Sequence, residues 1–269
     1  MIGLVQARSV EETMYIQRLA WAGIRISTGD FNIVIDPLVN TAEAARFMGT
    51  PRTDAVPVKE ASVQLALVTH LHPDHYDPAT LRACLTPRGR VLCPEEIAPR
   101  LNTDHVPHKG LEVYKQVSVG EVTVTAVPAV DGLGDDQVSW VIEVQGKRFI
   151  HCGDTLWHGN WWRLAKRFGP FDVAFLPING AVVQFPGYTP SGMPSVLTPE
   201  QAVAAGHLLQ AQAILPINYG MFHRPPIYAE QPRAEEIFKE LAKSKQIIPL
   251  IIPPGTAFTW ERGTADFPA

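Results

Sequence analysis

The feature that most restricts this chain is a junction. Residues 63–69 form a compact apolar run, and His70-Leu71-His72-Pro73-Asp74-His75-Tyr76-Asp77 follows it directly. An apolar run of this length suits a strand buried on both faces, as found where helices cover a sheet. The turn after it places three imidazoles and a carboxylate within six residues. A strand end can aim such groups at one point, and neutral imidazole with carboxylate is what zinc, manganese or iron takes as ligand. The bland reading of the same residues is a hydrophilic turn whose imidazoles bond only backbone groups.

The flanking sequence alternates hairpins with helices. Residues 15–20, 23–27 and 31–35 are short β-branched or aromatic runs, separated by Gly23 and by Gly29-Asp30. This predicts successive antiparallel strands ending at Asp36-Pro37. Residues 40–60 read as a surface excursion with a short helix near 43–47. Further strands are predicted at 63–69, 91–93, 111–114, 138–144, 148–151, 171–177, 213–217 and 247–252, and a hairpin over 117–127 turns at Gly120-Glu121. Thr198-Pro199-Glu200-Gln201 combines a capping box with proline at the first helical position, so a helix is expected to about residue 210. A second spans 233–243, with Ile237, Phe238, Leu241 and Ala242 on one face. Residues 180–197 are a Pro/Gly-rich insertion long enough to form a lid. No repeat or linker divides the sequence, so residues 1–269 are expected to form one α/β domain of two packed sheets with outer helices.

Charge and thiol content narrow the partners. The chain has 23 basic and 27 acidic side chains, a net charge of −4, and no stripe of lysine or arginine. That argues against a nucleic-acid partner, since binding a phosphate backbone needs clustered cations. Cys84, Cys93 and Cys152 are odd in number and lack C-x-x-C spacing, which speaks against a disulfide framework and a structural zinc knuckle and for a reducing compartment. Residues 1–14 lack the basic and apolar segments of a leader, and no run approaches 18 uncharged apolar residues. A cytoplasmic protein with no membrane partner is therefore expected.

The pattern of His70, His72, Asp74 and His75 resembles the signature of the metallo-β-lactamase superfamily. The resemblance extends over nearly the whole chain, through Ile35-Asp36-Pro37, the motif itself, Gly153-Asp154-Thr155 and Pro254-Gly255. It implies a four-layer αβ/βα sandwich, two mixed β-sheets with outer helices, carrying a one- or two-metal hydrolytic site at its edge. By the same resemblance Asp154 bridges two metals. Within the superfamily the sequence is similar to the L-ascorbate-6-phosphate lactonase and N-acyl-phosphatidylethanolamine phospholipase D branch, with two departures. That branch carries histidine three residues past a proline, where Pro128-Ala129-Val130-Asp131 has aspartate. It also carries Pro-x-His-Tyr-Gly, where Pro216-Ile217-Asn218-Tyr219-Gly220 has asparagine. Both departures put an oxygen donor in place of a nitrogen, which favours harder cations and makes manganese or iron credible beside zinc. The implied ligand set gives one ion His70, His72 and Asp131, and the other Asp74, His75 and either Asn218 or His223, with Asp154 between them.

The expected activity is hydrolysis of a small molecule, a lactone or a phosphorylated sugar-like ester, by hydroxide generated on one or two divalent ions. Asp74 is the candidate for proton handling. His158 is the candidate for touching substrate or protonating a leaving group, its alternative being a ring packed beside Trp157, Trp161 and Trp162. Asp36 or Asp77 either fixes an imidazole tautomer or caps a turn. Phe185, Tyr188 and Met193 are expected to roof the site. A phosphodiesterase or nuclease of the same superfamily, and a non-catalytic metal-binding sensor, are the competing readings. The small-molecule substrate is the expected partner, and a homo-oligomer is left open.

Overall fold

Residues 13–261 and 263–267 are described by the computed structural model. The reading of residues 1–14 as lacking a leader falls almost wholly outside that range. The predicted opening hairpins start one sheet: β1 (Met14–Arg18), β2 (Ile24–Thr28) and β3 (Phe31–Ile35) pair antiparallel. Beyond α1 (Ala42–Met48) this sheet turns parallel. It continues through β4 (Val63–Leu67), α2 (Pro78–Cys84), β5 (Leu85–Pro94), α3 (Ala98–Thr103) and β6 (His108–Leu111).

The second sheet repeats the theme. β7 (Gln116–Val119), β8 (Val122–Pro128), β9 (Val138–Val144) and β10 (Lys147–His151) run antiparallel. Then α4 (Trp161–Phe168) leads to β11 (Val173–Pro177), and α5 (Pro199–Leu208) follows the short β12 (Val182–Val183) and leads to β13 (Ala213–Ile217). β10, β11 and β13 are parallel neighbours. β14 (Tyr228–Ala229) pairs with β12 as a separate ribbon. After α6 (Ala234–Ser244), β15 (Ile248–Pro249) joins the second sheet, while β16 (Ala257–Glu261) and β17 (Thr264–Asp266) return to the first beside β1.

Apolar patterning explains the layers. In β4, Leu65 and Leu67 enter the core between the sheets, while Val63 and Ala66 face the cluster that holds Leu81 of α2 and Leu101 of α3. In β11, Val173 and Phe175 enter the same inter-sheet core, while Ala174 and Leu176 pack with Trp161 of α4, Val203 of α5 and Phe238 of α6. Both central strands are thus buried on both faces, with helices outside each sheet. This is the α/β fold of two mixed sheets with outer helices that the motif implied. Among the described residues no helix is long and apolar enough to cross a membrane.

Several boundaries differ from expectation. The strand expected at 111–114 ends at Leu111, and Tyr114 lies in a left-handed turn with φ of 67°. The residues at 247–252 contribute only Ile248–Pro249 to the ladder. The later strands β16 and β17, and helices α2, α3 and α4, are additional to the sequence reading. The capping box is present, Thr198 accepting from the Gln201 amide while the Gln201 side chain accepts from the Thr198 amide.

Candidate metal centre

The site gathers at the carboxyl ends of parallel strands from both sheets, where open α/β architectures place their ligands. Asp36 follows β3, the histidine-rich turn follows β4, Asp154 follows β10, Asn179 follows β11 and Asn218 follows β13. Asp154 belongs to two groups of ligand atoms, each mutually within 4.8 Å: His70, His72 and Asp154, and Asp74, His75 and Asp154. A third such group joins His72 to Asp131 and Asp135.

Hydrogen bonds fix which imidazole nitrogens are free. Asp36, fully buried, accepts the Thr69 amide at Oδ1 (2.8 Å) and the Thr69 hydroxyl at Oδ2 (2.6 Å). With that hydroxyl proton committed, His70 Nδ1, 2.9 Å from Thr69 Oγ1, must be the donor. His70 Nε2 is then the unprotonated nitrogen, and it has no partner among the described residues. His75 Nδ1 lies 2.8 Å from Asp36 Oδ2, which accepts its proton, so His75 Nε2 points to the other side. There it lies 2.9 Å from Asp154 Oδ1 and 3.4 Å from Asp74 Oδ2. Of the two residues proposed to orient a ring, Asp36 does so. Asp77 caps α2 through the Thr80 amide and hydroxyl and accepts the Asn40 amide.

Burial and charge pull against one another here. Burial holds His70 well below the ordinary histidine pKa, and the neighbouring His75 and His72 push it further down. Burial would also depress His75, but the Asp154 and Asp74 carboxylates outweigh it and raise it well above its ordinary value. Burial raises Asp154 despite the opposing His75. Asp74 ends below its ordinary value, because His75, then His72 and the Trp21 indole, overcome its burial. That indole donates from Nε1 to Asp74 Oδ2 at 2.8 Å.

The remaining sequence candidates divide. Asn218 is fully buried at a left-handed φ of 54°, with its amide nitrogen 3.2 Å from His75 Nε2 and hydrogen-bonded to Asp154. Asp131 Oδ2 lies 3.8 Å from His72 Nδ1, while its Oδ1 accepts the Leu133 and Asp135 amides. The structure does not bring His223 into these groups, and its Nδ1 accepts the Glu230 amide at 3.2 Å. Nor does it bring His158 there. That ring stacks on Trp161 (4.4 Å between centroids, 7° between planes), and burial lowers its pKa to about 4. The sequence reading missed Trp21 and Asp135, whose Oδ2 is 2.8 Å from His72 Nε2.

A cleft of about 240 Å³ opens onto His72, Asp74, Asp131 and Asp154. Phe47 and Met48 of α1 form one wall, and Val183, Phe185, Pro186 and Tyr188 of the 180–197 segment form the other. Phe47 meets Phe185 edge to face at 6.1 Å, which ties the two walls together. Met193 is 67% exposed and outside the lining.

A family profile described as a beta-lactamase superfamily domain matches residues 31–219. The chain belongs to that superfamily. It is 29% identical over 235 residues to a protein of Thermococcus onnurineus named "UPF0173 metal-dependent hydrolase", covering 84% of this chain and 91% of the relative. Among solved structures it is similar to an isothiocyanate hydrolase from Delia radicum gut bacteria, with a TM-score of 0.71 and 18% identity over 91% of this chain and all of the other. It is also similar in fold to CmlA, a diiron beta-hydroxylase from Streptomyces venezuelae. That match has a TM-score of 0.65 and 14% identity over 90% of this chain and 53% of the other.

Divalent ions suit this superfamily member's residues. His70 Nε2 and Asn218 Oδ1 are buried acceptors with no donor among the described residues. Such atoms cost stability unless something binds them. Three buried carboxylates, of Asp36, Asp74 and Asp154, crowd the same imidazoles, and a cation offsets that excess of negative charge.

Proposed function

We propose that this metal-dependent hydrolase cleaves an uncharged lactone or carboxylic ester with an apolar body. The observation that carries the reading is the composition of the cleft. Its walls are aromatic and aliphatic, its polar floor is carboxylate and imidazole, and among the described residues lining it none is lysine or arginine. A phosphorylated substrate would set its dianion beside Asp131 and Asp135 with no side-chain cation to receive it.

His70, His72 and Asp154 would hold one ion and Asp74, His75 and Asp154 the other. When bound, such ions supply a water of near-neutral pKa and polarise the oxygen of the scissile group. The chain's own residues then do the positioning. Asp36 holds His75 by Nδ1, and through Thr69 it holds His70 in the tautomer that presents Nε2. Trp21 pins Asp74 Oδ2 and leaves Oδ1 to take and return a proton. Phe47, Phe185 and Tyr188 bind the apolar body and exclude water from the floor.

The test is a panel of uncharged lactones and acyl esters beside their phosphorylated counterparts, run on protein loaded separately with zinc, manganese and iron. Higher kcat/KM for the uncharged members is expected, with turnover lost in His72→Ala. Preference for the phosphorylated members would overturn the substrate class. Full turnover and unchanged metal content in His72→Ala would overturn the site.

A further inference from the structure

Behind the metal centre lies a second cavity of about 320 Å³, with Trp21 in its wall. Its distinctive feature is Arg18, which is 6% exposed yet has no carboxylate within 4.0 Å among the described residues. A buried guanidinium without a counter-ion is rare, because desolvating the charge costs several kcal/mol. Its Nη1 donates to the Tyr219 hydroxyl at 2.9 Å and to the Ile252 carbonyl at 2.6 Å, and the Tyr219 ring lies 4.5 Å from the guanidinium carbon. Among the described residues neither Nε nor Nη2 has a hydrogen-bond partner, but Nε is sealed from solvent while Nη2 is not. The donor left to face the cavity is therefore Nη2, a charged N–H group suited to an anion such as a carboxylate.

We propose that this cavity is a second ligand site, for a small carboxylate carrying an apolar group, bound at Nη2 of Arg18. The rest of the lining fits that chemistry: Trp21, Met221, Ile252 and Pro254 give an apolar surface for the body. Glu235 at the same cavity has a cation of its own, Lys239 Nζ at 3.6 Å. The inference does not depend on the hydrolase reading, because none of these groups except Trp21 touches the metal centre.

Calorimetric titration of the metal-loaded protein with sodium benzoate, benzamide and inorganic phosphate tests it. Benzoate should bind once per chain, with benzamide and phosphate each about tenfold weaker or more. Arg18→Gln should weaken benzoate by a similar factor. So should Thr53→Trp, which fills the mouth from an exposed position and leaves the buried guanidinium intact. If Arg18→Gln does not fold, Thr53→Trp and the benzamide comparison decide the matter. Benzoate binding that survives either folded variant, as it would if the metal ions held it, overturns the proposal. So does equal affinity for benzamide or phosphate, or no saturable binding of benzoate.

Discussion

Asp36 Oδ2 lies 2.8 Å from His75 Nδ1, both side chains fully buried, and the same oxygen accepts the Thr69 hydroxyl that in turn holds His70. One carboxylate thus sets the tautomer of two imidazoles. Its backbone adopts a left-handed φ of 43°, a conformation aspartate tolerates better than most residues. The turn into Pro37 therefore aims the carboxylate at Thr69 and His75 rather than at solvent.

Asp36→Asn keeps the shape and removes the charge. Metal affinity should fall by about 10- to 100-fold, because an amide no longer enforces Nδ1–H on His75. Competition with a chromogenic chelator measures this, and an unchanged affinity would mean that the ring orientation is set by something else.

Trp21→Phe removes the indole donor and preserves most of the edge-to-face packing on Phe222, at 5.0 Å between centroids. With Asp74 Oδ2 released, kcat should drop about tenfold while the denaturant midpoint shifts little. Loss of kcat together with collapse of the near-ultraviolet dichroism would instead mark Trp21 as only a packing residue.

How much of this was legible in the sequence follows from distance along the chain. The strand and its histidine-rich turn are local, so run length and residue type sufficed, whereas Asp154 in its Gly-Asp-Thr turn came only through the family resemblance that the histidine-rich turn carries. Trp21 is different. Its contact with Asp74 spans 53 positions and depends on a left-handed turn (φ of 55°) between β1 and β2 that no motif announces. Asp135 escaped because an exposed acid in a glycine-rich loop looks like any solvated turn. The strands β16 and β17 escaped for a similar reason, since β16 gains its partner β1 only when the two ends of the described chain meet. His158 and His223 show the converse: a histidine near a motif is not thereby near its site.

His158 offers a pH signature. Burial lowers its pKa from 6.5 to about 4, so the native ring stays neutral where the unfolded chain binds a proton. Its contribution is fully present above pH 6.5 and is lost as pH falls from 6.5 towards 4. His158→Phe, which keeps a ring against Trp161, should flatten that part of the stability profile. Urea midpoints at pH 7 and pH 5 measure it, and equal pH slopes in the two proteins would refute the assignment.

The 180–197 wall of the cleft can be displaced without touching its own residues. Gly132, in the loop that carries Asp131, packs so closely on the backbone of Ser195 that an added Cβ would collide with the Ser195 carbonyl oxygen. That oxygen belongs to main chain, so a rotamer change cannot relieve the overlap, and the 180–197 segment must shift outward. Ser195 is itself anchored from the other side, its amide and hydroxyl both donating to the Ala181 carbonyl, so the shift should propagate along that segment. Phe185 and Tyr188 then lose their placement over the cleft, whereas His70, Asp74, His75 and Asp154 sit on other strand ends. Gly132→Ala should accordingly raise KM for an apolar ester about tenfold and change kcat and metal content much less. Steady-state kinetics beside elemental analysis gives both readouts. A fall confined to kcat, with KM intact, would show that Gly132 supports the His72 and Asp131 cluster and not the 180–197 wall.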